Sequence, residues 1–337
     1  MTAIFNLSNL DNIDSNKFTE IFTQILEQKF SDDKIIAILL KINQLQYPVE
    51  AMIGAFNALK HKMLKINVSN NLLAQTIDLC GTGGDCLNSF NISTATSFVV
   101  ASCGVKVAKN GNRASSSKSG SADIFEILNI EFSKDEESII SSLENNNLVF
   151  LFAPYFHQSL KNIAPIRKLI KQPTIFNYLG PLLNPLQVDK QMIGVANANM
   201  IEKMSQVIIS QKISQKEVYF VNGDDGMDEL TLTANSQIVK LINGNIKKEV
   251  FNPTDFGFEK VDIVDLTGGS PEYNAKALID LLDGKKSPYR NIVAINSALA
   301  LILAKKANNF QDAIKLVESS IDNGSAKNTL TKMQKKI

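Results

Sequence analysis

Three stretches of the sequence gather residue types suited to a phosphorylated substrate. In residues 78–98, three glycines in four positions, Gly81, Gly83 and Gly84, precede Asp85, Ser89 and the run Asn91-Ile92-Ser93-Thr94. Such glycines let the backbone turn tightly and expose N–H groups to an anion. The Asn91 to Thr94 run predicts a helix start, whose N-terminal amides favour phosphate. The spacing matches neither GxGxxG nor GxxxxGK[ST], which disfavours a dinucleotide fold or a P-loop ATPase. The second stretch holds Lys109, Asn110, Gly111, Asn112, Arg113, Ala114, Ser115, Ser116, Ser117 and Ser121. Two cations in a hydroxyl-rich, glycine-flanked loop can wrap a polyphosphate. In the third, Asp224, Asp225, Asp228 and Glu229 put four carboxylates into six residues after the strand-like KEVYF. They repel one another unless a cation sits among them. Mg2+ binds through one or two carboxylates plus substrate phosphates, which fits a diphosphate.

Scarcity marks further positions. The chain has three arginines, Arg113, Arg167 and Arg290, against 32 lysines, and it has no Trp. A guanidinium kept in a Lys-rich chain points to planar, bidentate work on phosphate or carboxylate. The two histidines, His61 and His157, are too few for a conventional His-centred triad. His157 follows the strand end Phe152-Ala153-Pro154 and could edge a site, whereas His61 lies in a Lys-flanked helix. The segment DLTGGSPEYNAKAL (265–278) reads as structural, with Ser270 as N-cap and Pro271 at the first helical position.

The elements that must hold these groups follow from hydrophobic patterning. Residues 17–30, 31–45 and 48–66 carry apolar side chains at helical spacing, with Ser31 a plausible N-cap before Asp32 and Asp33. From residue 75 strand-like and helical runs alternate, which predicts an α/β fold with a mainly parallel central sheet. The Pro-containing stretch 158–190 reads as a helical interlude that packs on the first helices. The expected organisation is a small all-helical domain of residues 1–72 joined by 158–190, and a larger α/β domain of 73–157 and 191–337. A length of 337 residues suits about two domains at roughly 150 residues each.

Composition removes several function classes. At 44% hydrophobic and 20% charged the chain has enough apolar material for a core, which excludes disorder over most of its length. A net charge of +1 argues against a whole-chain nucleic-acid binder. Cys80, Cys86 and Cys103 form no disulfide framework and lack zinc-ligand spacing, so a reducing, cytoplasmic setting is expected. The first residues carry no signal-peptide pattern, and no apolar run reaches ~18 residues, the length of a membrane span.

Taken together, the stretches resemble the anthranilate phosphoribosyltransferases. The resemblance rests on Gly81-Thr82-Gly83-Gly84-Asp85, Asn91 to Thr94, Lys109 to Ser121, Phe152-Ala153-Pro154 with His157, Thr174-Ile175-Phe176-Asn177 through Gly180-Pro181-Leu182-Leu183-Asn184-Pro185, and Asp228-Glu229-Leu230. Six motifs in order over most of the chain are specific. The resemblance implies transfer of the 5-phosphoribosyl group of 5-phosphoribosyl 1-diphosphate (PRPP) to anthranilate in tryptophan biosynthesis. It also implies Mg2+, two ions per subunit, a homodimer, and small-molecule substrates without nucleic acid or membrane partners. By family likeness Gly81, Gly84, Asp85, Ser89, Asn91 to Thr94, Lys109 to Ser117 and Ser121 hold PRPP. Ser93, Asp228 and Glu229 hold Mg2+. Gly81, Asn112, His157 and Arg167 meet anthranilate, and no side chain is implied as a catalytic acid or base. The chain departs from the family at Asn110, usually His, at Cys86-Leu87, usually Gly-Ala, and at Pro173, usually Arg. A pyrimidine nucleoside phosphorylase shares the general fold, but phosphorolysis needs no Mg2+-diphosphate site such as Asp228-Glu229. A non-catalytic nucleic-acid or ligand binder would call for a basic surface.

Overall fold

The computed structural model describes residue 10 and residues 12–114, 118–212 and 216–334. Ser115, Ser116 and Ser117 lie outside the described residues. The chain forms two compact units, one of Met1–Lys65, Pro154–Pro185 and Asn199–Ile213, the other of Ile66–Ala153, Leu186–Ala198 and Ser214–Ile337. The helical unit thus takes in the helix Asn199–Ser210, which the sequence reading gave to the α/β part, and it ends before residue 72. An amphipathic helix shows in sequence which face is apolar, but not which neighbour covers it.

In the helical unit, Asp14 caps the helix Ser15–Leu26 through the Lys17 N–H at 2.8 Å. Ser31 does stand at the N-cap of Asp32–Gln44, though its hydroxyl makes no capping bond. The helix Val49–Lys62 lies against Ser15–Leu26, and Gly54 permits the approach. A Cβ there would fall 2.3 Å from the Phe18 Cβ. The Pro173 carbonyl accepts bonds from Asn43 Nδ2 at 2.8 Å and Tyr47 Oη at 3.1 Å.

The other unit is built on one seven-stranded sheet. Its strands are β1 (Thr76–Gly81), β2 (Lys106–Gly111), β3 (Leu148–Phe152), β4 (Lys190–Gly194), β5 (Glu217–Gly223), β6 (Ser236–Ile242) and β7 (Asn245–Phe251). The order is β3-β2-β1-β4-β5-β6-β7. The first five are parallel, and β6 and β7 close the edge as an antiparallel pair. Asn243 and Gly244, with φ of 51° and 82°, make the two-residue turn between β6 and β7. The helix Ile92–Ser102 packs on β1, β2 and the helix Pro288–Leu303. Its Phe98 stacks on Phe125 at 5.5 Å, and Phe125 on Phe150 of β3 at 4.4 Å. After β1 the chain crosses to β2, while β4 pairs with β1 on its other side. That reversal is a topological switch point, beyond which ligands of open parallel sheets bind. Gly81 ends β1 at this place, and Thr82 to Asp85 follow it. No helix among the described residues is long and apolar enough to cross a membrane.

Gly54→Ala should cost about 1–3 kcal/mol, the usual range for an added methyl group in a packed interior. Urea unfolding checks this, and unchanged or increased stability would show that the two helices tolerate separation.

Candidate active site

Strand ends supply the centre of the site. Gly81 of β1 and Gly194 of β4 pair in register. A Cβ on Gly81 would lie 2.5 Å from Asp228 Oδ2, and one on Gly194 would lie 1.5 Å from the Asp228 carbonyl oxygen. Two side-chain-free positions thus make room for Asp228, and the Gly83 N–H donates to its Oδ2 at 2.8 Å. Gly83 and Gly84 have φ of 61° and 81°, followed by Cys86 at 60° and Asn88 at 52°. Cys86 thus occupies a left-handed conformation that a side chain disfavours. Asp85 Oδ1 accepts the Leu87 N–H at 3.2 Å, while its buried Oδ2 has no partner among the described residues.

The helix Ile92–Ser102 opens beside this turn. Asn91 occupies the N-cap position but makes no side-chain cap bond. Its Nδ2 instead donates to the Ser119 carbonyl at 3.0 Å. Thr94 Oγ1 donates to Ser121 Oγ at 3.1 Å. Lys109 is almost fully buried, at 1% exposure. Its Nζ donates to the Leu79 carbonyl at 2.8 Å and to Ser93 Oγ at 3.0 Å. Its ammonium therefore ties β1 to the helix start, a role that its loop position in the sequence did not suggest. Asn110 donates its N–H to Asp78 Oδ1 at 3.0 Å. Arg113 is bonded through both terminal nitrogens to Glu126, each at 2.5 Å, so its planar pairing here is with a carboxylate. Asp123 accepts the N–H groups of Ala114 at 3.0 Å and Gly120 at 2.8 Å.

The acidic segment is braced within itself. Asp225 accepts the Met227 N–H at 3.0 Å and the Thr231 hydroxyl at 2.7 Å, and also the Thr233 hydroxyl. Asn296, wholly buried on Pro288–Leu303, holds Leu230 from both sides: it accepts the N–H at 3.0 Å and donates to the carbonyl at 2.9 Å. Sequence reasoning missed Asp123, Asn274 and Asn296. Asp123 alone had a local signal, an acid three residues past Gly120 at a helix start.

A family described as "Glycosyl transferase family, a/b domain" matches residues 73–327. The anthranilate phosphoribosyltransferase of Ruminiclostridium cellulolyticum is 36% identical over 330 residues, covering 98% of this chain and 95% of the relative. The chain belongs to the anthranilate phosphoribosyltransferase family. The crystal structure of the Thermus thermophilus anthranilate phosphoribosyltransferase superposes with a TM-score of 0.85 at 27% identity, covering 95% of this chain and 94% of that one. The Saccharomyces cerevisiae anthranilate phosphoribosyltransferase, solved in complex with PRPP and Mg, gives 0.87 at 26% identity, with 95% and 92% covered.

In this anthranilate phosphoribosyltransferase fold, burial and mutual repulsion govern the acids. Burial, reinforced by the Asp85 carboxylate, raises Asp228 to about 6. Burial also raises Asp85. Glu229 is pushed well above the ordinary carboxylate range by burial and by Asp228, against the opposing pull of Lys109 and the Ser93 N–H. Burial in turn lowers Lys109.

Gly81 and Asn112 belong to the α/β unit, His157 and Arg167 to the helical unit. His157 Nε2 lies 3.0 Å from the Leu183 carbonyl oxygen, which can only accept, so Nε2 carries the proton. Its Nδ1 is buried without a partner among the described residues. Burial lowers this imidazole to about 4, partly opposed by the Leu183 carbonyl, so it is neutral at pH 7. Arg167 donates from Nη2 to Asn177 Oδ1 at 3.0 Å, and its guanidinium lies 5.6 Å from the Phe176 ring centroid.

The proton on Asp228 has a stability consequence. Its native pKa of about 6 exceeds the ordinary 3.8, so the native state binds that proton more tightly than the unfolded chain. The associated stability is present below the unfolded value and is lost as pH rises through the native one. Without divalent ions, Asp228→Asn should therefore be more stable than the parent at pH 7, with the advantage shrinking toward pH 4. Urea midpoints at the two pH values test this, and a less stable variant at pH 7 would refute it.

Proposed function

We propose that the chain transfers the 5-phosphoribosyl group of PRPP to the amine of anthranilate, giving N-(5-phosphoribosyl)anthranilate and diphosphate in L-tryptophan biosynthesis. Within the family, the observation that carries this reading is the set Asp85, Asp228 and Glu229 beside a glycine turn and a helix start. The set fits Mg2+ because its acids are buried and repel one another, and one Asp85 oxygen is buried without a hydrogen-bond partner among the described residues. Among the described residues no group of three His, Cys, Asp or Glu is arranged to hold a metal ion by itself. Mg2+ usually takes one or two carboxylates and completes its shell with substrate phosphates and water. Ser93, Asp228 and Glu229 would hold it, with two ions per subunit in a cytoplasmic homodimer. Bound Mg2+ supplies charge neutralisation for the departing diphosphate.

The residues themselves bind and orient. First-turn amides of Ile92–Ser102 and the N–H groups around Gly84 offer preorganised donors to phosphate oxygens. Lys109 acts from beneath, keeping the Ser93 hydroxyl in place. The acceptor's aromatic amine is unprotonated at neutral pH, so its attack needs no prior deprotonation. Holding it close to the anomeric carbon supplies much of the acceleration. Arg167, oriented by Asn177 and Phe176, presents a planar edge to the acceptor carboxylate. Neutral His157 offers Nδ1 as a hydrogen-bond acceptor and shapes the place of the amine.

Asp228→Asn combined with Glu229→Gln should lower kcat/KM by at least ~10²-fold and weaken the Mg2+ dependence, as read from product fluorescence. Undiminished turnover at low Mg2+ would remove these acids from the site. Arg167→Lys keeps the charge but loses the planar fork, so the anthranilate KM should rise while the PRPP KM holds. The opposite pattern would reassign Arg167.

A further inference from the structure

We propose that Asn274 is a positioning residue that couples the two substrate loops through Asn91, an inference that rests on the reading of those loops as the PRPP site. The helix Pro271–Leu282 is already capped by Ser270, whose hydroxyl accepts the Tyr273 N–H at 3.3 Å. Nothing in that cap requires a polar residue in the next turn. Yet Asn274 is there, 2% exposed, with both ends of its amide engaged. Its Oδ1 accepts the Gly269 N–H at 2.7 Å, and its Nδ2 donates to Asn91 Oδ1 at 2.9 Å. The first bond fixes which way the Asn274 amide points, and so the second fixes Asn91. With Oδ1 facing Asn274, Asn91 turns Nδ2 to the Ser119 carbonyl at 3.0 Å. Two amides in series thus join the helix start after β1 to the stretch that follows β2.

The relay is built in from several sides. Phe90 donates its N–H to the Leu266 carbonyl at 3.0 Å, and Gly268 donates its own to the Asn88 carbonyl at 2.8 Å. Tyr289 Oη donates to the Asn91 carbonyl at 3.2 Å, and its ring stacks on Phe90 at 4.4 Å. Gly268 has no room for a side chain. A Cβ there would meet Asn274 Oδ1 at 2.8 Å, Asn274 Nδ2 at 2.9 Å and the Ser89 carbonyl oxygen at 3.0 Å. Without the relay the Asn91 amide is free to turn, the two loops order separately, and the substrate bridging them must supply that ordering.

Asn274→Asp tests this with almost no change of shape. One carboxylate oxygen still accepts the Gly269 N–H, but the other faces Asn91 Oδ1 with no proton to share. Asn91 can then satisfy it only by turning its NH2 away from Ser119. The PRPP KM should rise ~10-fold, the scale of a hydrogen bond or two lost in a buried site. The anthranilate KM at saturating PRPP and kcat should stay within about threefold of the parent, which separates positioning from general damage. Amide hydrogen exchange around Ser119 should be faster in the variant with no substrate present, a readout independent of turnover. Gly268→Ala should reproduce both effects, and it decides the matter if Asn274→Asp does not fold. An unchanged PRPP KM with unchanged exchange, or both KM values rising together, would overturn the relay. A parent protein that does not turn over PRPP and anthranilate would instead overturn the proposed function, leaving the exchange comparison to judge the relay.

Discussion

Asp228 sits where a side chain on either Gly81 or Gly194 would collide with it, and much of the site follows from that fit. A carboxylate taken out of water costs several kcal/mol unless it is paired and hydrogen-bonded. Here the N–H groups of Gly83 and of Asp228 itself meet it, and its neighbours Asp85 and Glu229 are acids as well. The sheet and the packed helix beneath hold this unfavourable grouping together. Keeping Asp228 beside Asp85 and Glu229 costs stability, because each buried negative charge opposes the next.

The topology explains why these residues meet at all. β1 and β4 are adjacent, but the connections leaving their ends run to opposite sides of the sheet. The gap between the diverging connections is where Gly81 to Asp85 turn, and the N–H of Thr82 closes it with a bond of 2.9 Å to the Gly194 carbonyl. β5, next in the sheet, delivers the acidic segment from the far side. β2 delivers Lys109 from the near side and buries its ammonium below the helix start. Groups distant in the sequence converge because parallel strands all point their C-terminal ends the same way.

The parts legible in sequence were those with local signals. Glycine clustering, strand–helix alternation and paired acids announced the parallel sheet and the turn after β1. Single polar residues whose meaning is tertiary stayed silent. Asn296 looks like one polar position in an apolar helix until Leu230 is found in its grip. Asn274 hid within a segment fully explained as a capped helix. Arginine scarcity pointed to planar, bidentate bonding on phosphate or carboxylate, and of the three only Arg113, on Glu126, pairs that way among the described residues. Arg113 meets Glu126, Arg167 lies on Phe176 beside Asn177, and Arg290 binds Asp322 Oδ1 at 2.7 Å and the Gly284 carbonyl at 2.8 Å. The boundary between units was missed because the helix Asn199–Ser210 is interleaved in the chain between β4 and β5.

The antiparallel return of β6 on β5 has a bearing on chain entropy. Gly223 pairs with Ser236, so the acidic segment is a short loop whose ends are held by the sheet. Closing such a loop costs entropy that folding has already met, and the Asp225 bonds to Thr231 and Thr233 remove much of the freedom that remains. A long crossover to a further parallel strand would have left these carboxylates on a tether many residues from its anchor. The hairpin places them on a ring of fixed circumference, so they have little disorder left to lose. The outer strand β7, largely exposed, can vary in sequence without changing the length of that ring.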